Sequence, residues 1–206
     1  MEAKVKVLSL GDSLCKNNMQ VLRTKVAQSG LQIDWVGTKT DGPAPDPENE
    51  CYGGWEAAQV IGSKAPPSWE DPKTPKLSKR LDLVKPEIAL VMLGTNDVIR
   101  NSKDTLEDSL NRIVNLILVK SPGVKVVVAS IPPVTYDPAA AWVQEVNVKI
   151  AKLVKTRASR GEKVYYLDMH SRIKPGYVSS DKVHMTELGN QQMADAWLGI
   201  LKKLLN

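Results

Sequence analysis

A chain of 206 residues with 42% hydrophobic and 25% charged side chains has the length of one domain and enough apolar content to bury its own core. Its 28 basic residues against 23 acidic, a formal charge of +5, are spread along the chain with no polybasic run, so they read as a solvated surface and not as a nucleic-acid-binding face. No apolar run nears the roughly 20 residues of a membrane span, and a pair of cysteines, Cys15 and Cys51, excludes a disulfide-rich scaffold or a four-cysteine zinc site.

Met1-Glu2-Ala3-Lys4 leads into an apolar segment of only six residues, too short for the core of a signal peptide. As it stands the chain reads as cytoplasmic, or as secreted if a leader was removed. That segment, 5–10, is the first expected strand, and Gly11-Asp12-Ser13-Leu14 follows it. A second strand is expected at 32–36. Next comes a Pro-rich insert at about 38–76, where 38–54 and 63–76 carry turn chemistry in place of periodicity. Seven of the 13 prolines fall between Pro43 and Pro75. Long loops in a compact domain are commonly functional, and this one carries Tyr52-Gly53-Gly54-Trp55.

The third strand, 87–93, is apolar almost throughout, as a strand buried on both faces should be. Gly94-Thr95-Asn96-Asp97 follows it. Between 104 and 120, Leu106, Leu110, Ile113, Val114, Ile117 and Leu118 form one apolar stripe at helical spacing. A fourth strand at 124–131 leads to a second such helix at 138–160, striped by Val143, Val146, Ile150, Leu153 and Val154. The fifth strand is 163–167. Asp181-Lys182-Val183-His184 then precedes a last helix that starts near Thr186, a fitting N-cap. Strands alternating with helices predict an α/β protein: a five-stranded parallel sheet in a three-layer α/β/α sandwich, one domain over 1–206.

In an open parallel sheet, ligands bind beyond the carboxyl ends of the strands. The polar blocks around Ser13, Asn96 and His184, with the glycines of the insert, are expected at that edge. Together they supply a hydroxyl, an imidazole with a carboxylate three residues earlier, and candidate oxyanion donors, the set that nucleophilic catalysis needs. His170, the other histidine, lacks an Asp three residues earlier and is the rival base. Asp12 and Asp97 read as structural, bonding within their own loops. Asn147, on an apolar stripe, reads as a buried amide bonded to a loop carbonyl.

Taken in order, Gly11-Asp12-Ser13-Leu14, Gly54, Gly94-Thr95-Asn96-Asp97 and Asp181 to His184 resemble the four blocks of the SGNH hydrolases, the GDSL esterase/lipase superfamily. The resemblance runs over about residues 5–204. The Gly-Gly-Trp block is most similar to carbohydrate esterase family three, the branch that removes acetyl groups from polysaccharides such as xylan. The resemblance implies a flavodoxin-like fold and ester hydrolysis without a cofactor or metal. It casts Ser13 as nucleophile, His184 as base and Asp181 as its orienter. Ser13, Gly54 and Asn96 become the oxyanion hole, with Trp55 and Tyr52 as substrate-binding residues facing a small-molecule or oligosaccharide ester. For Trp55, pinning the loop to the body is the alternative to stacking on a sugar.

Two functional alternatives remain open at this point: a lysophospholipase or thioesterase of the same superfamily, and a non-catalytic flavodoxin-like binding module. If Ser13 and Gly54 surround one acyl carbon, their loops approach, and Cys15 and Cys51 come within bridging distance. A buried apolar Cys15 and an unrelated loop thiol at Cys51 is the other reading.

Overall fold

The computed structural model describes residues 3–71 and 73–205; of the expected 1–206 domain, Met1, Glu2, Pro72 and Asn206 lie outside the described residues. Strand β1 (Val5–Gly11) leads into helix α1 (Ser13–Gln28), then β2 (Ile33–Val36) and β3 (Glu50–Cys51). The short helices α2 (Ala57–Ile61) and α3 (Leu77–Val84) precede β4 (Ile88–Met92) and α4 (Thr95–Ile99). Helix α5 (Leu106–Lys120), β5 (Lys125–Ala129), α6 (Ala139–Ala158), β6 (Val164–Leu167) and α7 (Glu187–Leu205) complete the chain.

All strand pairs in the sheet are parallel, in the order β2-β1-β4-β5-β6. The expected five strands therefore become six. The extra strand is β3, whose Glu50 and Cys51 pair with Leu10 and Gly11. β2 pairs with the first half of β1, Val5 to Leu8, so β3 prolongs that edge where β2 stops. A two-residue strand leaves no periodic trace in a sequence.

Side chains alternate across the sheet as the pleat requires. Leu8, Leu10, Ala89, Val91, Val126 and Val128 join the core beneath α2, α3, α5 and α6. Val7, Ile88, Leu90, Met92, Val127 and Ala129 join the opposite core beneath α1 and α7. Both faces are thus covered, and the ends of β1 and β4 deliver Ser13 and Asn96 to the same rim.

The insert is ordered by buried polar groups. Glu50, fully buried, pairs with the buried Arg80 and accepts from the Thr38 N–H (2.7 Å), the Thr38 hydroxyl (2.6 Å) and the Tyr52 hydroxyl (2.9 Å). Arg80 also donates to the carbonyls of Pro75 (2.9 Å) and Val60 (2.8 Å). Arg23 does the same for the preceding stretch, donating to the carbonyls of Asp46 and Glu48. A guanidinium offers five donors, so two arginines satisfy the carbonyls of a segment that has few backbone pairs of its own. Cys15 and Cys51 form a disulfide with Cα atoms 5.6 Å apart, joining the first turn of α1 to β3. Gly11 lies under it: a Cβ there would meet Cys15 Cβ at 2.6 Å and the Met92 carbonyl at 2.7 Å. No helix among the described residues is long and apolar enough to cross a membrane.

Candidate active site

Ser13 is the first residue of α1. Asp12 caps the helix, its carboxylate accepting from the Leu14 N–H at 2.9 Å, which fixes the turn that leaves Ser13 partly exposed at the strand end. The Ser13 Oγ lies 2.8 Å from His184 Nε2, and His184 Nδ1 lies 2.6 Å from Asp181 Oδ2. The other Asp181 oxygen accepts from the N–H groups of Val183 and His184, both at 2.9 Å, and from the Ser179 hydroxyl at 2.7 Å. Those bonds, led by the Val183 N–H, hold the Asp181 carboxyl well below the usual carboxylate range. An ionised Asp181 can only accept, so Nδ1 carries the imidazole proton and Nε2 is left to accept from the Ser13 hydroxyl. Asp181 and His184 share one tight loop, closed by the Ser179 N–H on the His184 carbonyl (2.7 Å) and tethered by the Thr135 N–H on the Lys182 carbonyl (3.0 Å).

Gly54 sits at φ +78°, a left-handed conformation that glycine adopts without cost. Its turn is joined to β1 by the Tyr52 N–H on the Gly11 carbonyl (2.8 Å). It is joined to α4 by Asn96, buried, whose amide donates to the Trp55 carbonyl at 3.0 Å. One N–H of that amide is thereby used, and an amide carries a second for a ligand oxygen. Ser13, Gly54 and Asn96 thus belong to three segments bonded to one another at the sheet rim.

Two expected substrate-binding residues are placed elsewhere. Tyr52 is 2% exposed, its hydroxyl bonded to Glu50 and its ring beneath the Arg80 guanidinium at 4.7 Å. Burial, reinforced by the Glu50 charge, pushes its phenol up. Trp55 is also 2% exposed and packs against the Tyr52 ring at 4.4 Å between centroids. Neither ring offers a face to a substrate. Pairing of β3 with β1 draws both into the core, and Trp55 takes the loop-pinning role that was the alternative for it.

Asp12 bonds within its own loop, as expected, and burial pushes its carboxyl up to about 6. Asp97 departs from expectation: its carboxylate reaches another segment, accepting from the Ala57 N–H with oxygens at 3.1 and 3.2 Å. Burial, with the Glu56 and Asp12 charges adding to it, raises Asp97 to about 7. Asn147 is bonded through its amide to both the N–H (2.7 Å) and the carbonyl (2.9 Å) of Ile131. His170, the rival base, has Nδ1 against the Ile131 carbonyl at 3.2 Å, while the Ser13 hydroxyl meets His184.

Two further residues, outside the sequence blocks, lie beside Gly54. Arg100, at the end of α4, donates to the Gly54 carbonyl at 2.6 Å. Trp69, in the insert, is 65% exposed and lies against Gly54. A Trp between prolines, with no apolar partner at any periodic spacing, was the available signal that this ring is not core. Among the described residues, no group of three or more His, Cys, Asp or Glu is arranged to hold a metal ion.

A family model described as the GDSL-like Lipase/Acylhydrolase family matches residues 10–192. Among curated proteins, the putative endoglucanase X of Acetivibrio thermocellus is 28% identical over 131 residues, 60% of this chain and 55% of that protein. The multidomain esterase of Ruminococcus flavefaciens is 31% identical over 119 residues, 55% of this chain and 15% of that protein. The chain thus spans about half the length of the first of these relatives and a small part of the second. Among solved structures, a carbohydrate esterase family 3 protein from Talaromyces cellulolyticus matches with TM-score 0.80 and 25% identity over 97% of both chains. A family 3 carbohydrate esterase of Clostridium thermocellum matches with TM-score 0.79 and 24% identity, over 99% of this chain and 100% of that one. The family match begins in β1, ends in α7 and takes in Ser13, Gly54, Asn96, Asp181 and His184, and the chain therefore belongs to the GDSL-like lipase/acylhydrolase family.

Proposed function

We propose that this chain is a serine esterase that hydrolyses short acyl esters, acetyl groups on carbohydrates, through an acyl-enzyme. The observation that carries the reading is the continuous hydrogen-bonded chain Ser13–His184–Asp181, with a second amide N–H of Asn96 and the backbone of Gly54 at the same rim. In this reaction the Ser13 Oγ attacks the acyl carbon as its proton passes to His184 Nε2. The carbonyl oxygen, now an oxyanion, takes hydrogen bonds from the backbone N–H groups of Ser13 and Gly54 and from the Asn96 amide. The C–O bond then breaks, and His184 returns the proton to the departing alcohol. Water attacks the acyl-enzyme by the same route, releasing the acid and restoring the Ser13 hydroxyl. Asp181 stays ionised throughout, holding the ring and balancing the charge His184 acquires.

The choice of acetyl and carbohydrate is supported by three neighbouring structures, two described as carbohydrate esterase family 3 and one as an acetyl esterase. The test has two arms. A fluorophosphonate probe should label Ser13, with the label lost in Ser13→Ala; a wild-type protein left unlabelled would sink the hydrolase reading. A series of p-nitrophenyl esters of rising chain length should peak at acetate, and a peak at long chains would move the chain to the lysophospholipase or thioesterase class.

A further inference from the structure

We propose that the Trp69 indole, held beside Gly54, is the platform on which the sugar ring of the ester stacks, so that Trp69 sets selectivity for a saccharide alcohol. The proposal rests on the esterase reading for the position of the acyl carbon. Its own support is the placement of Trp69. Of the five tryptophans, Trp35, Trp55 and Trp197 are buried and Trp142 is half-buried, while Trp69 is 65% exposed. A single exposed apolar side chain is ordinary, as at Leu83, Val119, Val148 and Leu188; what singles Trp69 out is that its ring lies against Gly54.

Its position is specific to the site. A Cβ built on Gly54 would meet the indole Cζ2 at 3.0 Å and Cε2 at 3.8 Å, so the ring adjoins the proposed oxyanion glycine. The Arg100 guanidinium lies over the same ring, 6.0 Å from its centroid, while bonded to the Gly54 carbonyl. Arg100 is about a third exposed and pairs at 3.6 Å with Glu56 through the nitrogen that bonds Gly54, and the other donors of its guanidinium can serve hydroxyl oxygens.

The backbone on either side of the ring is also anchored. The Trp69 turn is closed by the Glu70 N–H on the Pro67 carbonyl at 3.0 Å. Gln59 anchors the carbonyl of Ala65 (3.0 Å) before the turn, and Arg80 anchors that of Pro75 after it. Pro66 and Pro67 fix their own φ angles. Backbone anchored on either side of Trp69 lowers the entropic cost of presenting its ring.

The geometry also selects which part of the ester reaches the ring. With the carbonyl oxygen at Gly54 and the acyl carbon on Ser13, an acetyl methyl is too short to cover an indole. In the proposed pose the alcohol oxygen faces His184 and its sugar ring extends past Gly54 to the indole. A pyranose has an apolar C–H face to lay on an aromatic ring and hydroxyls at its edge for Arg100. A flexible acyl chain would use neither the plane nor the donors.

The test compares an acetylated xylobiose with ethyl acetate, which has no ring. Trp69→Ala should lower the ratio of kcat/KM for the saccharide over ethyl acetate about tenfold, the scale of one aromatic stack. The loss should lie in KM, and Trp69→Tyr should restore most of it. In a Ser13→Ala background, unacetylated xylotriose should shift the tryptophan emission, and Trp69→Phe should remove the shift. An unchanged ratio, a parallel fall on both esters, or an emission shift that survives Trp69→Phe would each overturn the proposal. If xylotriose shifts the Trp69 emission while the wild type hydrolyses neither ester, the platform stands and the esterase reading falls.

Discussion

Removing the Cys15–Cys51 bridge should destabilise the protein by about 4 kcal/mol while leaving its chemistry nearly intact. The bridge closes a loop with a sequence separation of 36 residues. In the chain-entropy account a loop of about that length removes roughly 13 cal/mol/K from the unfolded ensemble, or about 4 kcal/mol at 25 °C. A chain of 206 residues unfolds with an entropy of about 0.4 kcal/mol/K near its midpoint, so the loss corresponds to a fall in Tm of about 9 °C. Replacing both cysteines with alanine adds a packing cost of about 1 kcal/mol, because Cys51 is fully buried. Reduction of the wild type avoids that addition, since both sulfurs stay. The site should survive at 25 °C, because Leu10 and Gly11 still pair with Glu50 and Cys51 and the Tyr52 N–H still bonds the Gly11 carbonyl. The measurements are thiol titration of the unfolded protein with and without reductant, thermal unfolding of both forms, and turnover of a small acetate ester. Two free thiols without reductant would remove the premise. A Tm drop under about 2 °C in protein shown to be fully reduced would refute the loop-entropy argument.

Three further outcomes are expected. Asp181→Asn should lower kcat by about 10²–10⁴-fold, less than His184→Ala, because an amide nitrogen facing Nδ1 disfavours the tautomer that leaves Nε2 free; wild-type kcat in this variant would exclude Asp181 as the orienter. Asn96→Ala should lower kcat by about 10²–10³-fold with little change in KM, whereas a rise in KM at constant kcat would make Asn96 a substrate-binding residue. Asp97→Asn should flatten the dependence of stability on pH. The native Asp97 carboxyl is raised from 3.8 to about 7, so the folded state holds its proton more tightly than the unfolded chain. For this group stability is full below about pH 4 and is lost as pH rises through about 7, a change on the order of 4 kcal/mol. Urea unfolding of both proteins at pH 4.5 and 8 measures it, and equal losses in wild type and variant would contradict the assignment.

The central strands were legible because burial on both faces leaves nearly unbroken apolar runs, and β1, β4 and β5 lie within two residues of the expected limits at each end. Ser13 and Asn96 were expected at one rim because they follow β1 and β4, whereas Asp181 and His184, well past β6, were singled out by their Asp-x-x-His spacing and the family resemblance. The insert was not legible. Its order comes from Glu50 meeting Arg80, and Arg23 meeting the carbonyls of 46 and 48, pairings across long stretches of chain that no local spacing encodes. For the same reason Tyr52 and Trp55, around a Gly-Gly turn, read as substrate-binding residues, with loop-pinning the alternative for Trp55, whereas β3 carries both into the core. Trp69 shows the reverse: a residue lost in Pro-rich sequence proves to be the ring at the rim.

The Ser13–His184 hydrogen bond joins residues 171 positions apart. The helices that carry the two groups, or follow them, lie against each other. Asn18 of α1 donates to the Asn190 carbonyl of α7 at 2.8 Å, and Lys25 pairs with Asp195 at 2.7 Å. During synthesis Ser13 emerges long before His184 exists, and on the esterase reading it remains an ordinary alcohol until α7 docks on α1. Turnover is then a late marker of folding, reporting that the first and last helices have met. A fluctuation that lifts α7 from the sheet would silence the protein without unmaking a strand, and re-docking would restore it with no repair to the site itself.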